Sequence, residues 1–285
     1  MNPYHSFLQR FELFASKHPQ TIVNTLSNIF TMRKIGNKTH GDMAEVGFAE
    51  FIEQFLYDYS CEHVGKSLFR AKMKEEDILV REELTATLIP ISLKAYGEGP
   101  LQLSTDKDNV YFPFLKQKGN DILDVAPIMG SEKFRELLNS NVLPLIYREK
   151  QKECNIMVFD FQRMLNDTTR IVIVEKRCHF DYKHGQVVKG SQRKHPVYLL
   201  LNSKGEYICE VRYGGSSANA LQRGVWTDTK KAEQYFKSIT GGWVSYCENQ
   251  ELVRLVKLAL NSSIEAHQSV NKLLQDNINT LKAVW

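Results

Sequence analysis

The stretch "DILVREELTATLIPISLKA", Asp77–Ala95, contains two apolar runs rich in Ile, Leu and Val, separated by a short polar segment. Runs of this length and composition predict two β-strands. If the turn between them is centred just after Leu84, Asp77 lies opposite Ser92. Side chains alternate between the two faces of a strand, so Lys94 is expected on the same side as Ser92. The stretch therefore predicts an antiparallel hairpin that brings a carboxylate, a hydroxyl and an amine together at a sheet edge.

The segments around this hairpin carry helical and strand patterns. Residues 4–35 and 41–60 have apolar residues at helical spacing, and in the second segment Asp42 and Glu45 stand at the spacing of a capping box. Further apolar stretches predict strands at 155–161 and 170–176, a hairpin at 197–213 turning at 202–205, and a helical tail from 249 onward. The tail is expected to pack on the body, with a partner subunit as the alternative. The sequence therefore predicts an α/β (α+β) protein in which helices flank a central mixed β-sheet.

The polar residues of the first hairpin suit the cleavage of phosphodiester bonds. A carboxylate such as Asp77 can hold a divalent cation, which polarises a phosphoryl oxygen and lowers the pKa of a bound water. Mg²⁺ suits such a site because it keeps several waters and needs only one or two protein oxygens. The backbone carbonyl of Leu93 is a natural extra ligand, and Lys94 can orient the attacking water and stabilise charge on phosphorus. Glu82 and Glu83 are alternative first acids, ranked below Asp77 because they lie close to the turn.

The order of these residues resembles a nuclease motif. Asp77 followed by Ser92–Lys94 at a strand end resembles the PD-(D/E)xK motif, and "ISLKAYGEGPLQLSTD" resembles the active-site strand and loop of type II restriction endonucleases. The helix carrying Glu45 resembles the helix that often precedes this motif and supplies an acidic residue near the metal. The stretch "EVRYGGSSANALQRGVWTDT", Glu210–Thr229, resembles a segment near the C-terminus of some restriction enzymes.

The resemblance implies a restriction-endonuclease-like core and a defined activity. The implied protein is a Mg²⁺-dependent, sequence-specific endonuclease of double-stranded DNA, which leaves 5′-phosphate and 3′-hydroxyl ends and belongs to a prokaryotic restriction-modification system. The implied catalytic residues are Asp77, Ser92, Lys94 and Glu45, and the implied metal ligands are Asp77, Leu93 and Glu45. A palindromic recognition site would favour a homodimer.

One position departs from the motif. Ser92 stands where the family has its second acidic residue, and a serine binds Mg²⁺ less strongly than a carboxylate. Asp77 and Glu45 would then carry more of the coordination. Two other functions remain open: a structure-specific or repair nuclease of the same fold, and a non-catalytic DNA-binding protein with a degenerate site. Each residue also has a purely structural reading, with Asp77 as a strand-start residue, Ser92 as a core filler, Lys94 as a solvated edge residue and Glu45 as a capping partner.

Three polar segments offer side chains for binding DNA. Phosphate contacts provide affinity, whereas Arg, Lys, Asn and Gln read base edges. Residues 175–195 carry six Lys/Arg against two acidic residues, which predicts phosphate contacts or, alternatively, a solvated loop. The candidates are Gln102, Ser104, Thr105 and Lys107 beyond the first hairpin, Lys183, Lys189, Arg193 and Lys194 in the basic stretch, and Arg212, Ser216, Ser217, Asn219, Gln222 and Arg223 around a glycine turn.

The composition is that of an ordinary globular protein, with 42% hydrophobic and 25% charged residues. The length of 285 residues suits one large domain, 1–285, with the N-terminal helices and catalytic core in 1–175 and the DNA-recognition segment and C-terminal helices in 176–285. No apolar run approaches the roughly 18 residues of a transmembrane helix, and the opening residues lack the apolar core of a signal peptide. Five scattered cysteines without a C-x-x-C pair predict free thiols in a reducing cytoplasm.

Overall fold

The computed structural model describes residues 2–35, 40–64, 77–97, 100–103, 110–181, 186–212, 224–228 and 233–248, together with residues 231, 250, 253–254, 268, 272 and 275. In this part of the chain the α-helices are α1 Pro3–Lys17, α2 Pro19–Ile35, α3 His40–Phe55, α4 Tyr111–Lys118, α5 Ala126–Met129, α6 Glu132–Arg135 and α7 Phe161–Asp167. The β-strands are β1 Tyr59–His63, β2 Ile78–Glu82, β3 Leu88–Tyr96, β4 Pro100–Leu103, β5 Asp121–Ile122, β6 Val142–Arg148, β7 Glu153–Phe159, β8 Arg170–Asp181, β9 Gln186–Leu201, β10 Tyr207–Arg212, β11 Val225–Asp228, β12 Phe236–Ser238 and β13 Val244–Ser245.

The chain divides into two compact units and passes between them several times. Unit 1 contains Met1–Gly97, Leu143–Met157 and Ser238–Trp285, and unit 2 contains Glu98–Val142 and Val158–Lys237. The strands form one sheet of seven strands and one of six, a division that the apolar pattern did not indicate. The α/β character, with helices packed on sheet, is confirmed. The single domain with sub-regions 1–175 and 176–285 stays a prediction.

The predicted helices of residues 4–35 are confirmed as α1 and α2. Asn2 caps α1 by accepting a hydrogen bond from the N–H of Tyr4 at 3.0 Å. Phe7 and Phe11, one turn apart, are fully buried, so the apolar spacing marks the core-facing side of the helix. The helix ends at Lys17, since the residue before Pro19 is disfavoured in the helical conformation.

Helix α3 confirms the predicted helix of residues 41–60 as far as Phe55, whereas residues 59–60 belong to strand β1, and the start also differs from the prediction. The helix begins at His40, so Asp42 lies inside the first turn and is not the N-cap residue, as the capping-box spacing had suggested. A carboxylate in the first turn still interacts favourably with the positive end of the helix dipole. The side of α3 that carries Phe48 and Ile52 is buried, and α3 packs on α2, β1 and β3.

The seven-stranded sheet contains the hairpin that the sequence predicted. Its strand order is β1-β2-β3-β6-β7-β12, with β13 paired to β7. Strands β1, β2 and β3 are consecutive antiparallel neighbours, and β6 lies on the other side of β3. This arrangement leaves β3 as an internal strand with helix α3 packed on it.

The six-stranded sheet has the order β4-β11-β10-β9-β8-β5, and its neighbouring strands pair antiparallel. The predicted hairpin at 197–213 is confirmed: β9 turns into β10 at Asn202, whose side chain accepts the N–H of Lys204, and Gly205 takes a positive φ of 74°. For the basic stretch, a solvated loop was the alternative to phosphate contacts. In its described residues, 176–181 of β8 instead pair with 186–192 of β9.

Three further expectations concern the cysteines, membrane spans and the C-terminal tail. Cys61, Cys154, Cys209 and Cys247 are free thiols, as the scattered spacing predicted. In the described ranges, none of the helices combines the length and apolar character of a membrane span. Most of the predicted helical tail lies outside the described residues, with Val253 and Arg254 helical.

Candidate functional site

The predicted register of the first hairpin is confirmed. Strands β2 and β3 pair with Ile78 opposite Ile91 and Arg81 opposite Leu88, and the N–H of Glu82 donates to the carbonyl of Thr87. The loop between them is symmetric about the bond after Leu84, which is why a loop longer than a two-residue turn leaves the pairing unchanged. Continued by one residue, this register brings Asp77 opposite Ser92.

At the open end of the hairpin, three groups of β3 converge on one oxygen of Asp77. Oδ2 accepts hydrogen bonds from the Ser92 hydroxyl at 3.0 Å and the Leu93 N–H at 2.6 Å, and the Lys94 ammonium lies 3.7 Å away. Ser92 is buried, and the Asp77 and Lys94 side chains are 21% and 23% exposed, so both charged groups of the cluster are partly accessible to solvent. Within the described residues, the second oxygen, Oδ1, has no hydrogen-bond partner.

Glu45 of α3 joins this cluster through its charge. Its carboxylate accepts from His63 Nε2 at 3.2 Å, and only 15% of its side chain is exposed. Burial raises the pKa of Glu45, and the negative charge of Asp77 raises it further, against the opposing effect of the His63 hydrogen bond. A bound cation would offset the effect of the Asp77 charge on Glu45. Glu45 therefore lies within reach of the Asp77 charge, and within the described residues it makes no capping hydrogen bond.

His63 was missed in the sequence, although chain geometry could have indicated it. Ten residues of helix from Glu45 to Phe55 rise about 15 Å, and a strand running back covers that distance in about four to five residues. Strand β1 starts at Tyr59 after a short turn, so its fourth step is His63. A helix–turn–strand unit of this length therefore places Glu45 and His63 at the same height along the helix axis. Only the lengths of helix α3 and strand β1 could have indicated this contact, because the residue types around His63 form no motif.

The donor set suits one class of metal ion better than others. The oxygens available are Oδ1 of Asp77, the Glu45 carboxylate and the carbonyl of Leu93, which faces the same side as its N–H because both groups of a strand residue point toward the same neighbouring strand. Among the described residues, no three His, Cys, Asp or Glu side chains gather closely enough to hold a metal by themselves. Zinc sites need three or four such ligands, whereas Mg²⁺ is held by one or two carboxylates and keeps its waters. Carboxylate and carbonyl oxygens are the ligand types that Mg²⁺ accepts.

The alternative first acids lie at the other end of the hairpin. Glu82 accepts a hydrogen bond from Thr85 in the turn, and Glu83 accepts one from Ser60. The four steps of β2 from Ile78 to Glu82 cover roughly 13 Å. Neither residue shares a site with Lys94, so Asp77 is the acid that the hairpin presents.

The predicted DNA-binding residues are described only in part. Gln102 lies in β4, opposite Trp226 of β11. Arg212 donates to the buried carboxylate of Glu210 and lies 5.9 Å from the ring centroid of Trp226, so its guanidinium neutralises a buried charge in its own unit. Three candidates lie in β9, where the structure describes the backbone alone: Lys189, Arg193 and Lys194. The others lie outside the described residues: Ser104, Thr105, Lys107, Lys183, Ser216, Ser217, Asn219, Gln222 and Arg223.

Comparisons with known proteins add no family to this geometry. No protein-family model, curated protein or solved structure matches the chain. The chemistry of the cluster around Asp77 therefore has to be argued from its own atoms. These atoms are an oriented carboxylate with one oxygen open to a ligand, a second carboxylate sensitive to its charge, and an adjacent ammonium.

Proposed function

We propose that this protein is a Mg²⁺-dependent endonuclease that hydrolyses phosphodiester bonds of double-stranded DNA at a specific sequence, as a type II restriction enzyme does. The observation that carries the proposal is the convergence of Ser92, the Leu93 N–H and Lys94 on one oxygen of Asp77. The order of these residues, on two strands of one hairpin, is also the order that resembles the PD-(D/E)xK motif. The position of Glu45, on the preceding helix, supports the same reading.

Each residue of the cluster has a separate role in this reaction. The hydrogen bonds from Ser92 and the Leu93 N–H hold Asp77 Oδ2, which leaves Oδ1 as the ligand oxygen. Held by Asp77, Glu45 and the Leu93 carbonyl, Mg²⁺ would polarise a phosphoryl oxygen and lower the pKa of water. Lys94 places a cation beside the site, where it orients the attacking water and favours the negative charge that builds on the phosphoryl oxygens.

In this proposal Ser92 is a positioning residue. Its hydroxyl donates to Asp77, whereas an acidic residue at the same place would need a cation between the two carboxylates. The site therefore has one carboxylate fewer next to the lysine than the family motif, and Glu45 supplies the second negative charge from the helix. A Ser92→Ala variant should accordingly loosen Asp77 and raise the Mg²⁺ concentration needed for half-maximal cleavage, without removing the reacting groups.

A non-catalytic DNA-binding protein is the second candidate, because one observation favours it. Asp77 Oδ2 is already satisfied by two hydrogen bonds and a nearby ammonium, so the cluster could serve only to fasten the start of β2 to β3. This candidate predicts that DNA is bound and never cut.

Incubation of the purified protein with plasmid DNA and Mg²⁺, followed by sequencing of the fragment ends, tests the proposal. We expect discrete fragments with 5′-phosphate ends, and loss of cleavage in Asp77→Asn. The matched control is Glu62→Gln, which removes an exposed carboxylate from β1 next to His63 on the opposite face of the strand. Intact DNA with Mg²⁺ or Mn²⁺ supports the second candidate, and smears or nicks at junctions support a structure-specific nuclease.

A further inference from the structure

The hairpin of β8 and β9 extends beyond the sheet pairing of its neighbours. Strand β10 pairs with β9 over 197–201, and β5 pairs with β8 at 171–172. Beyond these contacts, residues 176–181 of β8 pair with 186–192 of β9, and in the described part of the chain no other strand pairs with them. This segment, here called the ribbon, is a two-stranded antiparallel extension that includes residues 193–196 at its base.

The stretch that contains the ribbon carries the whole net charge of the protein. Residues 175–195 contain six Lys/Arg and two acidic residues, a formal charge of +4, and the complete chain is also +4. The formal charges of the remaining residues therefore cancel, with 31 Lys/Arg against 31 Asp/Glu. A charge that is concentrated in one extension, on a chain that is otherwise neutral, points to a polyanionic partner for that extension.

The sequence of the ribbon also differs from that of a strand covered by a core. A strand with one buried face alternates apolar and polar residues. Residues 189–195 read Lys-Gly-Ser-Gln-Arg-Lys-His, seven consecutive positions without an apolar side chain, so neither face of this part has a core-facing pattern. Such a strand suits an aqueous or polyanionic surrounding on both faces.

The pairing of the ribbon concentrates its basic residues at the base. Between the pairs Val174–Val197 and Lys176–Gln192, four residues of β9, 193–196, stand against the single residue Glu175 of β8. This irregularity is a large bulge, and bulges bend a strand and redirect its side chains. Arg193 and Lys194 lie in the bulge, and Lys176 begins the ribbon beside it. Lys176, Arg193 and Lys194 thus occupy neighbouring register positions at the base of the ribbon.

We infer that the ribbon binds duplex DNA. Its two strands would lie along the major groove, and the Lys and Arg residues at the end nearest the sheet would contact the flanking phosphates. The major groove is about 12 Å wide and admits a two-stranded β-ribbon, and the six residues 176–181 span roughly 17 Å. The inference rests on the proposed function only in naming DNA as the polyanion. Single-stranded nucleic acid has no groove of this kind. The major groove of A-form RNA is too deep and narrow to admit the ribbon.

Salt dependence of DNA binding measures the number of phosphate contacts. Each contact contributes about 0.9 to the slope of log affinity against log salt. Removing Lys189, Arg193 and Lys194 together should lower the slope by about 2.7. Over a fourfold rise in salt, the wild-type protein would then lose about 40-fold more affinity than the variant does.

The experiment uses the full chain, a fluorescent duplex and EDTA, so that no cleavage occurs. The ribbon variant is Lys189→Gln, Arg193→Gln and Lys194→Gln, and its control, at the same net charge, is Lys17→Gln, Lys150→Gln and Lys204→Gln, all at exposed positions. A third variant, Lys189→Arg and Lys194→Arg, keeps the charges. We expect the reduced slope in the ribbon variant alone, and at least tenfold weaker binding of the wild-type protein to double-stranded RNA of the same sequence.

Three results would overturn the inference: equal slopes in the ribbon variant and its control, a slope in the arginine variant as low as in the glutamine variant, or equal affinity for duplex RNA and DNA. Absence of duplex binding by the wild-type protein would overturn it as well. The proposed nuclease activity fails independently, because it is tested with Mg²⁺ by the Asp77→Asn comparison. A protein that binds through the ribbon and never cuts DNA would retain the inference and lose the activity.

Discussion

Replacement of Lys94 by methionine separates the stability of the hairpin from its chemistry. The ammonium lies 3.7 Å from Asp77 Oδ2, and both side chains are about one-fifth exposed. A partly exposed ion pair contributes roughly 0–1 kcal/mol to folding, and Asp77 keeps its two hydrogen bonds in the variant. Methionine preserves most of the apolar stem, so packing around β3 changes little. We expect the free energy of unfolding of Lys94→Met to fall by about 1 kcal/mol at most.

Cleavage should fall far more than stability does. Removing a group that stabilises developing charge costs about 10²–10³-fold in rate, equivalent to about 2.7–4 kcal/mol. Unfolding could mimic a 10²-fold loss only if about one molecule in a hundred remained folded, which the small change in stability forbids. Single-turnover plasmid cleavage with saturating Mg²⁺, beside chemical denaturation followed by circular dichroism, measures both quantities. Lys150→Met is the control, because Lys150 lies on an exposed turn.

The outcome that refutes this reasoning is a Lys94→Met variant that cleaves at more than one-tenth of the wild-type rate. Such a result would reduce Lys94 to an ion-pair partner of Asp77. A variant that loses several kcal/mol of stability would refute the other half of the argument, because the ammonium would then hold the hairpin together.

Three further predictions concern other residues. His63→Ala should raise the Mg²⁺ concentration for half-maximal cleavage by about 10–100-fold with little change in the maximal rate, since His63 orients a ligand carboxylate; a Mg²⁺ titration that matches the wild-type curve contradicts this. The ion pair with Arg170 lowers the pKa of Asp121, so it stabilises the fold above the ordinary value of 3.8 and this contribution is lost as the pH falls through the lowered pKa; Asp121→Asn should flatten the acid limb of a plot of stability against pH, measured by denaturant unfolding from pH 2 to 6. A thiol reagent should modify exposed Cys247 in the native protein and spare Cys209 until unfolding, because burial raises the pKa of the Cys209 thiol, and peptide mass mapping would detect the opposite order.

The hairpin of Asp77 and Ser92 could be predicted in register because local information was sufficient. Two apolar runs, a symmetric loop and the period-2 rule together define which residues face each other. The prediction then extended correctly to Lys94. Contacts that depend on the packing of a helix, such as Glu45 with His63, required lengths of elements and could not come from residue types alone.

The basic ribbon shows the opposite case. Strand prediction relies on alternation of apolar and polar residues, and residues 189–195 have none, so no strand was predicted there and a solvated loop stayed an alternative. Pairing between β8 and β9 overrides the missing alternation, because backbone hydrogen bonds do not depend on side-chain polarity. The division into two sheets could not be predicted either, since it depends on which strands far apart in the sequence pair with each other. Arg212 shows a similar limit of prediction from sequence. It was a candidate for DNA binding, but its guanidinium pairs with the buried carboxylate of Glu210, and this pairing could not be predicted from residue type.

The interrupted path of unit 1 has a consequence for how the protein is made. Strand β3 carries Lys94, but its neighbour β6 begins only at Val142, after a segment that belongs to unit 2. At about 5–20 residues per second, a ribosome needs roughly 3–10 seconds to add the residues from Tyr96 to Arg148. Throughout that interval one edge of β3 is open to pairing with other nascent chains, the situation in which strands aggregate. A fragment ending at Gly97 would keep this open edge permanently, even though it contains Glu45, Asp77 and Lys94.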